Sequence, residues 1–155
     1  MKFNYYGFKA IYVHEMNRFY RTVGQSLLSP VISTSLYFVV FGSVIGSYIQ
    51  KIDGVSYGSY IVPGLLMLTL LTQSISNTSF GIFFPKFNGT INEILAAPIS
   101  TIETVLAFVG AGATKTLIVG AVIFTTATFF AEVSVKYPIL MILLLVLVSF
   151  TFALF

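Results

Sequence analysis

GTINEILAAPISTIE, Gly89 to Glu103, is a short polar island between two long apolar runs. It carries two helix-start signals in succession, Thr90-x-x-Glu93 and Ser100-x-x-Glu103. In each, a hydroxyl can accept from the N3 amide while the glutamate reaches back to the cap residue. Pro98 lies between them and forbids one continuous helix. The island therefore predicts a helix of one to two turns over about 90–98, a break, and a new helix leading into the next apolar run. A short helix tied directly to two long ones is a handle that another protein can push or pull.

The flanking runs set the fold class. Pro30–Ile49, Tyr60–Phe84, Thr104–Ala131 and Pro138–Phe155 hold a single charged residue between them, Lys115. Each is near or above the ~20 apolar residues a transmembrane helix needs. The chain is 57% hydrophobic and 8% charged, against roughly 25% charged in a soluble domain, so it cannot solvate a globular surface. The expectation is an all-α membrane protein with an N-terminal amphipathic helix over residues 1–29 and four transmembrane helices in 30–155. The spans fall at about 30–50, 60–83, 107–131 and 138–155. The first apolar run follows some thirty residues and four bases, which does not read as a cleavable signal peptide. With no cysteine, one histidine and no close carboxylate pair, neither a metal site nor a catalytic constellation is expected. The net charge of +3 comes from bases scattered through membrane-flanking segments, not from a nucleic-acid-binding patch. The last run stays apolar to Phe155, so a chain truncated within a larger membrane domain is expected.

Orientation follows from the bases. Lys2, Lys9, Arg18, Arg21 and Lys86 fall on one side, Lys51 and Lys136 on the other: five against two, with Lys115 left out. The positive-inside rule then places the N-terminus and the 84–106 island in the cytoplasm.

Residues 4–29 read as an amphipathic helix. At 100° per residue Tyr5, Phe8, Tyr12, Met16, Phe19, Val23 and Leu27 share one arc, and His14, Glu15, Asn17, Arg18, Arg21 and Gln25 the other; Ile11 is the exception on the polar side. Such a helix is expected to lie in the membrane interface, with Glu15, Arg18 and Arg21 toward headgroups or a partner. Ser29-Pro30 then predicts a turn into the first span.

In the second span Thr69, Thr72, Gln73, Ser76 and Asn77 recur at helical spacing on one face. Polar groups in lipid need partners or water, so this face either lines a substrate path or bonds helices together. In the third span Gly112, Thr116 and Gly120 form a small-residue stripe that permits close helix approach. Lys115 sits about 21 Å along a helix begun near Thr101, where it either snorkels to the interface or meets a substrate. Gly112-Ala113-Thr114-Lys115-Thr116 ends like a phosphate loop, but Thr114 stands where the motif needs glycine. The chain carries no nucleotide-hydrolysing site of its own.

Taken in order, these features resemble the ABC-2 type transport permease family, close to its YadH-like bacterial inner-membrane branch. The matching residues are His14-Glu15-Met16-Asn17-Arg18-Phe19, Ser29-Pro30-Val31-Ile32, Leu36-Tyr37-Phe38 with Phe41-Gly42, Ile61-Val62-Pro63-Gly64, and Ile91-Asn92-Glu93-Ile94-Leu95-Ala96-Ala97-Pro98. The last is the most specific, because it matches the family's cytoplasmic coupling helix. The resemblance implies six spans per subunit, two permease copies, a separate ABC ATPase holding ATP-Mg, and export driven by ATP. It assigns coupling to Thr90, Ile91, Glu93, Ile94, Leu95, Pro98 and Glu103, and it implies no cofactor bound by this chain. A secondary transporter or channel is the rival from another class, but such carriers place acids or histidine within spans, and no acid lies in any span here. A non-transporting membrane scaffold is the third reading.

Overall fold

The computed structural model describes residues 3–45, 48, 51–52, 54–131 and 137–155. Helix α1 (Tyr5–Arg21) is followed by α2 (Val23–Tyr37), whose helical path continues from Phe38 to Ile45 with the wider π-type hydrogen bonding. Strands β1 (Lys51–Ile52) and β2 (Val55–Ser56) form a small antiparallel hairpin turned at Gly54, which adopts φ +82°. Then come α3 (Tyr57–Phe87), the short α4 (Ile91–Ala96), α5 (Thr101–Phe130) and α6 (Pro138–Leu154). Apart from the two-residue strands and the short turns between elements, the described chain is helical.

Among the described residues, three stretches are long and apolar enough to cross a membrane: Val23–Gly42, Tyr57–Phe87 and Thr101–Phe130. The fourth expected span forms α6, an apolar helix of 17 residues, about 26 Å at 1.5 Å per residue and so just short of a ~30 Å core. The expected boundaries shift as well. The first span begins at Val23 rather than Pro30, because Thr22 breaks the expected single helix over 4–29. Thr22 takes φ −111° and ψ 16°, donates its N–H to the Phe19 carbonyl, and donates Oγ1 to the Arg18 carbonyl at 3.2 Å. A threonine hydroxyl competing for backbone acceptors opens a helix in this way. Ser29-Pro30 makes no turn; Pro30 lies buried within α2, as membrane helices tolerate when local adjustments satisfy the freed carbonyl. Lys136, counted above among the bases, lies outside the described residues.

Helix starts are equally specific. Ser100 and Glu103 form the reciprocal box expected of them: Ser100 Oγ accepts from the Glu103 N–H at 3.3 Å and Glu103 Oε2 from the Ser100 N–H at 2.8 Å. The expected Thr90–Glu93 box does not form. Thr90 already has helical backbone (φ −67°, ψ −12°), which an N-cap does not. Its Oγ1 donates instead to the Pro85 carbonyl at 3.3 Å, closing the end of α3. Gly89, at φ +77°, then turns the chain out of α3, the left-handed stop that glycine supplies.

Helix α5 is the centre of the bundle, touched by α1, α2, α3 and α6. Its small residues make that possible. A Cβ on Gly112 would collide with Thr78 Oγ1, and one on Gly120 would lie 2.7 Å from Leu70 Cδ2, so α3 meets α5 along the Gly112–Thr116–Gly120 stripe. Small groups also seat α6: Ala153 packs with Val109 and Ala113, and Ser74 Oγ donates to the Ser149 carbonyl at 2.6 Å. Phe19, Val119 and Ile123 join the α1–α2 junction to α5, and Phe38, Val62 and Ala127 close the far end.

Gly112→Val is expected to destabilise the protein by about 1–3 kcal/mol through overpacking. Gly24→Ala, where an added Cβ meets nothing within 4 Å, should be neutral or stabilising. Thermal unfolding in detergent checks the contrast, and equal midpoints for the two variants would refute the close approach.

Candidate functional site

The site lies where α1 runs beside the first turns of α5. The two helices run in the same direction, as successive contacts show. Asn4 meets Glu103, Ile11 packs on Ala107 and Phe108, Tyr12 Oη donates to Thr114 Oγ1 at 3.0 Å, Glu15 meets Lys115, and Phe19 packs on Val119. The face of α1 against α5 is thus Ile11, Glu15 and Phe19, at i, i+4 and i+8. It cuts across both arcs of the expected amphipathic pattern. Ile11 is no exception on this face, and the aromatic Tyr5 is exposed.

Glu15 is buried, 2% exposed, and its neutralisation explains how. Lys115 Nζ donates to Glu15 Oε2 at 2.7 Å, and Arg18 pairs with the same oxygen at 2.8 Å. Gly81 of α3 leaves room for the carboxylate, since a Cβ there would lie 3.4 Å from Oε2. The Arg18 guanidinium also sits over Phe80 and Phe84, 5.4 and 5.7 Å from their centroids, a cation–π arrangement. Three helices thereby converge on one carboxylate.

A second carboxylate joins the helix starts. Glu103 Oε1 accepts from the Asn4 N–H at 2.7 Å while Oε2 caps α5 at Ser100. Asn4 in turn caps α1, its Oδ1 accepting from the Gly7 N–H at 3.1 Å, and donates Nδ2 to the Pro98 carbonyl at 3.1 Å. Between α1, α4 and the end of α3 lies a cleft of 320 Å³, floored by Ile11, Ile94 and Phe108 with Glu15 and Glu93 among its walls.

This arrangement, a long helix pair linked by a short exposed helix, belongs to a chain whose residues 6–155 match the family model of the ABC-2 type transporter. The chain is a member of the ABC-2 type transporter family. It is 38% identical over 146 residues to the inner membrane transport permease YadH of Escherichia coli K12, and equally to those named YadH in E. coli O157:H7 and Shigella flexneri. The alignment covers 94% of this chain and 57% of each relative, so the chain spans little more than half their length. No solved structure matches it.

Within this ABC-2 chain the sequence-predicted residues fall into separate groups. Of the α4 residues, Ile94 turns inward onto Ile11 and Phe108, Ile91 is half-buried, and Leu95 is 72% exposed. Glu93 is exposed at the cleft, Thr90 closes α3, and Pro98 and Glu103 belong to the Asn4 node. Arg21 is exposed at the end of α1, apart from Glu15 and Arg18. On α3 the buried face is Leu66, Leu70, Ser74, Thr78 and Gly81, one step round from the predicted polar face. Thr69, Gln73 and Asn77 flank it half-buried, whereas Thr72 and Ser76 are exposed. Thr69 and Thr72 donate to their own helix, at the Leu65 and Leu68 carbonyls. Among the described residues of α3, the hydrogen bond to another helix comes from Ser74, outside the predicted polar face.

Lys115 does not snorkel; it is 3% exposed and paired. A signal for its partner existed: a base within an apolar span needs a counter-charge, and the chain has five acids to choose from. Asn4 carried no such signal, because one asparagine near a chain end reads only as a helix cap.

The shared oxygen makes the pair asymmetric. Glu15→Gln strands a buried lysine and is expected to cost about 3–5 kcal/mol. Lys115→Met leaves Glu15 with Arg18 and should cost less, and the double variant should recover most of the loss in Glu15→Gln. Unfolding midpoints in detergent test the order; a Lys115→Met variant less stable than Glu15→Gln would show that Arg18 does not sustain Glu15.

Proposed function

We propose that this chain forms membrane-spanning helices of an ABC-2 type exporter permease in the bacterial inner membrane, with its N-terminus and α4 in the cytoplasm. ATP-Mg is bound and hydrolysed by a separate ABC ATPase subunit, and this chain contributes no catalytic residue, metal or cofactor site. Two permease copies assemble in the bilayer. ATP binding draws them together through α4, and the polar side of α3 around Thr69, Gln73 and Asn77 changes its access from inside to outside. This is a population shift driven by a partner.

The observation that carries the reading is α4. A six-residue helix with no fully buried residue stands between the left-handed Gly89 and Pro98, and its Leu95 faces outward. An isolated helix of this length is marginal; it is held by its connections to α3 and α5, and an exposed leucine on such an element fits an apolar groove of a partner. The excess of bases on the same side and the name of the YadH relatives, inner membrane transport permease, support orientation and class.

Leu95→Asp is expected to abolish co-purification of the ATPase that accompanies the tagged wild type, with the amount of permease in the membrane unchanged. Retention of the ATPase at wild-type level would overturn the docking role of α4. Because Thr90 and Glu93 form no capping box, Glu93→Ala should leave the unfolding midpoint unmoved, and any loss of ATPase in that variant reports a contact with the partner.

A further inference from the structure

We propose that Asn4 and Glu103 are positioning residues that clamp the exit of α4 to both α1 and α5, so that α1 and α5 receive a push on α4 as one arm while its entry from α3 serves as a hinge. The proposal rests on the permease reading above.

The two ends of α4 differ. At its entry, Gly89 adopts φ +77° with nothing within 4 Å of an added Cβ, and α4 itself has no side-chain cap. At its exit every residue is held. Asn4 Nδ2 donates to the Pro98 carbonyl at 3.1 Å, Ile99 lies against Gly7, and Glu103 accepts at 2.7 Å from Asn4 and at 2.8 Å from Ser100. A displacement of α4 therefore turns about Gly89, opposed there by the neutral 3.3 Å bond from Thr90 Oγ1 to the Pro85 carbonyl, and is transmitted at Pro98.

A second pin fixes α1 along α5. Glu15 meets Lys115 at 2.7 Å. From Glu103 to Lys115 is about 18 Å along α5, and from Asn4 to Glu15 about 17 Å along α1, at 1.5 Å per residue. Two parallel helices joined at both ends of nearly equal lengths can neither slide nor swing without breaking a charged hydrogen bond. Asn4 therefore does more than cap α1: it makes α1 share the load that reaches α5.

The chain has no cysteine, so a labelled position and a bridge can be introduced cleanly. The probe is the rate at which a membrane-impermeant maleimide labels Thr72→Cys, on the exposed side of α3, in vesicles from the producing cell with and without ATP. Asn4→Asp keeps the N-cap of α1, since Asp and Asn cap alike, but removes the donor to Pro98 and sets a second carboxylate beside Glu103. It should reduce the ATP-dependent change in labelling by roughly fivefold or more, the scale of a typical coupling between sites. A Gly7→Cys, Ile99→Cys pair tests the clamp itself. A Cβ at residue 7 would lie 2.7 Å from Ile99 Cγ1, which puts a sulfur on residue 99 within bonding reach. Oxidised, this bridge should leave the response intact with Asn4 present and restore it in Asn4→Asp, with reductant abolishing the rescue. A wild-type response in Asn4→Asp, or loss of response on oxidation with Asn4 present, would overturn the proposal. Failure of the bridge to rescue Asn4→Asp would overturn it too. No ATP-dependent change with Thr72→Cys alone would instead sink the permease reading, and this proposal with it.

Discussion

Glu15 and Lys115 lie where neither charge reaches water, and the placement of α1 depends on that. An unpaired carboxylate or ammonium in such a position costs several kcal/mol. Once Lys115 stands on the central helix, an acid has to meet its buried charge. Glu15 can do so only if α1 lies along α5, and that alignment sets Ile11 on Phe108 and Phe19 on Val119. Arg18 serves the same oxygen and rests on Phe80 and Phe84, so the ion pair also ties α1 to α3.

Elsewhere the bundle is held without charge. Lipid tails are as apolar as leucine, so burying apolar side chains between membrane helices gains little; close contact and hydrogen bonds supply the attraction. That is why the most buried helix is rich in glycine, alanine and threonine rather than leucine. Gly112 against Thr78 and Gly120 against Leu70 bring α3 within backbone reach of α5, and the threonines along α5 return their hydroxyls to their own helix, as Thr116 does to Gly112. Leucines fill α6, whose outer face is exposed, where they suit a bilayer.

The short α4 takes its meaning from this frame. Apart from Ile94, which packs on Ile11 and Phe108, its side chains lie outside the core and are free to serve a surface. Its two neighbours are among the longest helices of the chain. A displacement there acts on two rods of about 45 Å, joined to each other by the small-residue seam and to α1 by two carboxylates.

Composition and run lengths alone determined that the chain is a helical membrane protein. Eight bases and five acids cannot cover a globule, and the apolar runs have bilayer length. The sequence also determined the break at Pro98, the capping box at Ser100 and Glu103, and the glycine stripe of α5, because each depends on residues within one or two turns of each other. Tertiary structure decided what depends on partners distant in the chain. It showed that Thr90 closes α3 instead of opening α4, and that Ser74 rather than its polar neighbours bonds α6. It ended α1 at Thr22 and turned a supposedly solvent-facing glutamate inward. A helical wheel assigns a charge to the wet side because it sees one helix at a time; the lysine that makes Glu15 buriable lies 100 residues further on, and only the folded chain brings the two together.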